Sequence, residues 1–177
     1  YIDQRMFEDV ELQLLVDAVQ ASRFITDRKS AQLIKKLEQL TSRYTAVRLR
    51  HQQPVLHRVK SMNESIYYVI SIINDAMADD KQITFRYFEY TVAKTKRYRH
   101  NRKQYQVSPY ALIWSNENYY LVAYDESASG IRHYRVDRME GTNISAAPRS
   151  GQDAFDQLDM NVYTRRMFNM YRGQEEV

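Results

Sequence analysis

The chain has 177 residues, a formal net charge of +4, 44% hydrophobic and 27% charged residues, and no cysteine. That length allows one domain, or one domain with a helical appendage, and enough apolar material for a core that needs neither a disulfide nor a metal. Thiol chemistry, cysteine-containing zinc sites and a disulfide scaffold are excluded, no apolar run nears the roughly 20 residues of a membrane span, and no signal peptide opens the sequence. The composition fits a reducing compartment, and a cytoplasmic location is expected. A start on Tyr1 and an end at GQEEV read as a fragment of a longer chain.

Residues 8–24 place Leu12, Leu15, Val16 and Val19 on one helical face, with acids in the first turn where the helix dipole favours them. Thr26 offers an N-cap for a second helix, whose apolar face runs Leu33, Leu37, Leu40, Tyr44. Such a helical hairpin cannot bury its stripe alone, so it is expected to pack on other parts of the chain or on a second copy. Residues 48–60 lose the helical period around Pro54 and read as a linker or edge segment. Ser61 and Glu64 form a capping box that predicts a third helix to about Asp79, with Ile66, Val69, Ile70 and Ile73 on one face.

From Lys81 the period changes to two. ITFRYFEY alternates Ile83, Phe85 and Tyr87 against Thr84, Arg86 and Phe88. A basic run, KTKRYRHNRKQ at 94–104, follows as strand, HNRK turn and strand; it is either a phosphate-facing stripe or a solvated hairpin tip. YQVSPYALIW, NENYYLVAYD after a Ser-Asn-Glu-Asn turn, IRHYRV and a short TNISAA complete the strands, and VYTRRMFNMY predicts a final helix. Strands at this spacing after a helix predict an α+β chain with a small, strongly bent sheet or barrel. Residues 119–124 are apolar or aromatic on both faces, so that strand is expected to be buried on two sides.

Neither the histidines, His51, His57, His100 and His133, nor the carboxylate pairs Asp79–Asp80 and Asp125–Glu126 form a metal-binding or acid–base pattern. No phosphate-loop or nucleophile-elbow glycines occur, so a non-enzymatic chain with no metal and no cofactor is expected. The notable cluster is Arg132, Arg135 and Arg138. Strand alternation puts Arg132 with Tyr134 and Val136, and His133 with Arg135 and Asp137, so the three arginines share a face only if the chain bends near Asp137. Asp137 can pair with Arg135 or with Arg138; the remaining guanidinium groups would offer bidentate donors to phosphates, with tyrosines for stacking.

The run QVSPYALIWSNENYYLVAYDESASGIRHYRVDRM resembles the WYL domain of bacterial winged-helix transcriptional regulators of the YafY/DeoR-like type. The family's Trp-Tyr-Leu triplet falls on Tyr119-Tyr120-Leu121, with tyrosine in place of tryptophan, and its RxYRxDR pattern on Arg132, Tyr134, Arg135, Asp137 and Arg138. The resemblance implies a WYL domain at 63–148 with a small Sm-like, SH3-type β-barrel, a helical linker or dimerisation segment at 1–62, and a C-terminal linker helix at 149–177 leading to an extension outside this chain. It implies a homodimeric effector sensor that binds a nucleotide or single-stranded nucleic acid and modulates operator-DNA binding through a winged helix outside this chain. Its ligand residues carry over to Arg132, Arg135, Arg138 and Tyr120; His133 and Ser108 join them as residues beside the same strands. The rival reading is a constitutive Sm-like module for single-stranded nucleic acid that does not switch.

Overall fold

The computed structural model describes residues 7–42, 44, 46, 47, 60, 61, 63–93 and 95–169, in two compact units, residues 1–66 and 67–177. The linker expected at 48–60 lies outside the described residues except for Lys60. No helix among the described residues is long and apolar enough to cross a membrane.

In the first unit, α1 (Asp9–Ala21) opens with a capping box between Glu8 and Glu11, and α2 (Asp27–Glu38) opens on Thr26, whose Oγ1 accepts the Lys29 amide at 3.1 Å. The buried stripe is narrower than the periodicity predicts: Leu12 and Val16 are buried, whereas Leu15 is exposed. α2 stops before Leu40, so Leu40 and Tyr44 stand exposed instead of extending its apolar face. Lys60 Nζ donates to the carbonyls of Val19 and Ser22 and to Ser30 Oγ, at 3.1, 3.0 and 2.6 Å. One ammonium thus satisfies free carbonyls at the end of α1 and ties them to α2.

The third helix, α3 (Ile66–Ala78), starts later than its capping box suggests. Ser61 Oγ accepts the Asn63 amide and Asn63 Oδ1 accepts the Ser65 amide, so successive side-chain turns consume these residues before the helix begins. Ile66, Val69, Ile73 and Ala76 form its buried face. Asp80, left-handed at φ 56°, ends the helix and turns the chain into the sheet.

Six antiparallel strands follow: β1 (Lys81–Tyr90), β2 (Lys96–Tyr98), β3 (Gln104–Ser115), β4 (Asn118–Asp125), β5 (Gly130–Arg135) and β6 (Met139–Pro148). β1 carries β6 on one edge, and β3 and β2 along successive parts of the other, with β4 and β5 continuing beyond β3. The last strand, expected as a short TNISAA, runs ten residues because it has all of β1 to pair with. Pro109, which has no amide to donate, sits at the register shift of β3. Asn116 and Glu117, both left-handed, make the two-residue turn between β3 and β4. As expected, Tyr120 to Ala123 of β4 are buried in succession.

The sheet curls so that β1 and β5, which are not paired, meet through their side chains. Phe85 lies edge-on to Tyr134 at 5.1 Å and Tyr87 to Tyr134 at 5.5 Å, while the Tyr87 hydroxyl accepts the Arg135 amide at 3.1 Å. Beyond the sheet, α4 (Gln152–Asp156) and α5 (Met160–Asn169) complete the α+β unit.

Candidate ligand-binding cleft

The curl of the sheet leaves a cleft of about 520 Å³ on its concave side. The floor is aromatic. Tyr105 from β3 stacks on Phe85 at 5.5 Å with rings nearly parallel, and Tyr87, Tyr105 and Tyr134 pack edge-on around it. These contacts follow from sequence register: β1 and β3 put Phe85 opposite Tyr105, and the curl brings Tyr134 over both.

Polar groups fix this floor from behind. Tyr134 donates its hydroxyl to Asp125 Oδ2 at 2.9 Å, and Asp125 Oδ1 accepts from the Ser127 amide and hydroxyl at 2.9 and 2.6 Å. Burial pulls the Asp125 carboxyl upward, but these donors outweigh it and hold the group below its ordinary range. The Tyr134 hydroxyl is pushed far up, first by burial and then by the carboxylate it faces. Burial likewise raises Tyr87, so the floor stays uncharged across ordinary pH.

The rim is cationic. β5 ends in a short 3-10 turn at Val136–Arg138, the bend that the arginine spacing requires, and Arg132, Arg135 and Arg138 all line the cleft. Of the two partners open to Asp137, the chain uses Arg135: its Nε and Nη2 donate to the two carboxylate oxygens at 3.0 and 2.8 Å, and Nη2 also reaches Asn118 Oδ1. Burial works against the Arg135 charge, yet the Asp137 bonds carry its proton affinity above the ordinary value. Arg135 is therefore a braced wall of the cleft. Arg132 and Arg138 have no carboxylate within ion-pairing distance among the described residues.

His133 and Tyr120, the other expected ligand residues, also line the cleft. His133 Nδ1 shares a hydrogen bond of 3.2 Å with the Tyr163 hydroxyl of α5. Burial, and then the neighbouring Arg132, lower its proton affinity, so the imidazole is neutral at pH 7 and the guanidinium groups carry the charge. Ser108 is elsewhere. It is fully buried, and its Oγ accepts the Ser150 amide at 2.9 Å, which fastens the chain after β6 to β3. In the tyrosine-substituted triplet, Tyr119 lies edge-on to Trp114 and outside the cleft lining, whereas Tyr120 is within it.

The basic run at 94–104, expected as either a phosphate-facing stripe or a solvated hairpin tip, reaches the cleft in part. Arg99, His100 and Lys103 line the same space. They reach it through a tight turn in which His100, Asn101 and Arg102 are all left-handed, at φ 48°, 52° and 64°. Arg99 is held by Glu89 through its Nε at 2.8 Å and lies 5.7 Å from the Tyr87 ring centre. Lys96 and Arg97 point to other duties, pairing with Glu140 and Glu89. The floor tyrosines Tyr87, Tyr105 and Tyr134 were missed as site residues. Their signal was the unusual abundance of tyrosine, 15 in the chain, which by itself does not separate core from cleft.

No curated protein matches the chain. Among solved structures it is similar to proteasome accessory factor B/C (PafBC) of Arthrobacter aurescens, with 19% identity, a TM-score of 0.44, and 87% of this chain but only 22% of that chain covered. The family model of the WYL domain matches residues 68–144, which hold most of α3, the first five strands and much of β6. The strands that form this cleft thus lie within the stretch that the WYL-domain model matches.

Proposed function

We propose that this WYL domain is the effector-sensing part of a transcriptional regulator, and that its cleft takes a phosphate-bearing ligand, a nucleotide either free or within a single strand. One observation carries the reading: Arg132 and Arg138, without carboxylate partners among the described residues, stand at the rim of a cleft floored by tyrosines. Guanidinium forks suit phosphate oxygens, and a tyrosine floor suits the faces of nucleobases. The cleft volume lies within the ordinary range for ligand sites, about 300–1,000 Å³. Lys103 adds a third cation, and the Asp125 carboxylate has its oxygens engaged by Ser127 and Tyr134.

The role proposed for the ligand is a shift between two arrangements of a cytoplasmic homodimer, which biases operator binding through a winged-helix domain outside these residues. No chemical step is assigned to the cleft. The test is fluorescence anisotropy of a short, labelled single-stranded DNA of mixed sequence, with wild type and the Arg132→Ala/Arg138→Ala variant at two salt concentrations. Binding that weakens with salt and drops by about tenfold or more in the variant is expected, since each charge-assisted contact is worth about 1.5–3 kcal/mol. Equal binding by both proteins would contradict the proposal.

A further inference from the structure

Beside the basic cleft lies a second chamber of about 280 Å³, and the two share Lys103, Tyr105, Asp125 and Ser127. Its chemistry is different. Gln82, Gln104 and Gln106 line it together with Glu126, and it contains no arginine. A phosphate gains little there, with two carboxylates, Asp125 and Glu126, in the wall against Lys103.

The glutamines are arranged in a specific way. Gln82, from β1, is only 6% exposed, and its Oε1 accepts from Gln106 Nε2 of β3 at 2.6 Å. That bond leaves the Gln82 amide N–H groups and the Gln106 carbonyl oxygen with no protein partner among the described residues. Turning both amides over still leaves one donor and one acceptor. Among the described residues the buried side-chain polar atom left without a partner is Thr142 Oγ1, so the open Gln82 and Gln106 groups face the solvent of the chamber, where a ligand can reach them. The pair is also held in place by the β1–β3 ladder, in which Thr84 faces Gln106 and Ile83 faces Val107.

We propose that this chamber is a base-reading subsite that takes the hydrogen-bonding edge of an adenine, while the ligand's phosphate lies on Arg132 and Arg138. The inference rests on the nucleotide reading given above. The Gln82 N–H groups and the Gln106 carbonyl together offer the donor and acceptor that adenine's ring nitrogen and amino group require, and Glu126, whose Oε1 accepts the Ser150 hydroxyl, gives that amino group a second acceptor in its other oxygen. Tyr105, common to both chambers, offers the face on which the base stacks. A thymine, with a carbonyl in place of the amino group, sets its oxygen against the glutamate.

The full chain is titrated with a short oligothymidylate and with the same oligomer carrying one adenine, followed by anisotropy. Wild type is expected to bind the adenine-containing strand about tenfold more tightly, the discrimination typical of one bidentate amide–base pair. Gln106→Leu, at an exposed position, should erase that preference while leaving oligothymidylate affinity unchanged; Gln82→Leu should do the same if it remains folded by circular dichroism. Equal wild-type binding of the two strands, or a preference that survives Gln106→Leu, overturns the subsite but leaves the basic cleft standing. Binding of neither strand overturns the subsite and the nucleotide reading together.

Discussion

Single residues in this cleft divide between those that hold the site and those that stand open to a ligand. Arg135 and Arg138 are three positions apart and both line the cleft, yet among the described residues it is Arg135 that meets both oxygens of Asp137. Tyr134 serves the aromatic floor with its ring and Asp125 with its hydroxyl. Tyr134→Phe keeps the ring and removes one donor from a carboxylate that is held below its ordinary range. We expect a loss of about 2 kcal/mol at pH 7, the scale of a hydrogen bond to a charged group. A depressed carboxyl contributes stability above its unfolded value of 3.8, and that stability is lost as the pH falls through the folded value. The gap between wild type and variant in urea melts should therefore shrink below about pH 3.8; an equal gap at pH 7 and pH 3 would contradict it. Ser108→Ala tests the opposite assignment. It strands the Ser150 amide and should cost about 1–3 kcal/mol, with single-stranded DNA affinity unchanged. A loss of affinity without a loss of stability would return Ser108 to the site.

At the scale of elements, local signals were legible and long-range curvature was not. Thr26 as an N-cap, the two-residue turn at Asn116 and Glu117, the doubly buried β4 and the bend before Arg138 all follow from residues within a few positions of one another. The start of α3 was misread because Asn63 and Ser61 use their side chains on nearby amides, a competition that a capping-box pattern does not reveal. The length of β6 was misread because its composition is weakly apolar and its stability comes from β1. Five of the expected ligand residues were found on one cleft, but the convergence of Arg99, His100 and Lys103 on it depends on sheet curl, which periodicity does not encode. The segment after β6 shows how tightly that sheet is backed. Gly151, at φ 80°, starts α4 with its α-carbon against the Tyr124 ring of β4, where an added Cβ would stand 2.1 Å from Cγ. Gly151→Ala should lower the thermal midpoint by about 5 °C or more, as the ring and the left-handed backbone both resist the methyl group. In a Tyr124→Ala background the same change should cost markedly less, and an unchanged cost would show that the ring contact is not the cause.

For the molecule as a whole, the sheet unit contains every element needed for the proposed ligand: stacking floor, braced wall, open guanidinium groups and an amide chamber. In the first unit Leu40, Tyr44 and Val47 stand exposed. The central claim is that ligand phosphate meets Arg132 and Arg138. It is tested most directly by NMR of the arginine Nε–H resonances during titration with short single-stranded DNA. Progressive shifts of Arg132 and Arg138 are expected, with Arg149, held by Asp80 and the Pro109 carbonyl, unmoved. Saturable binding that leaves the Arg132 and Arg138 resonances in place would contradict it.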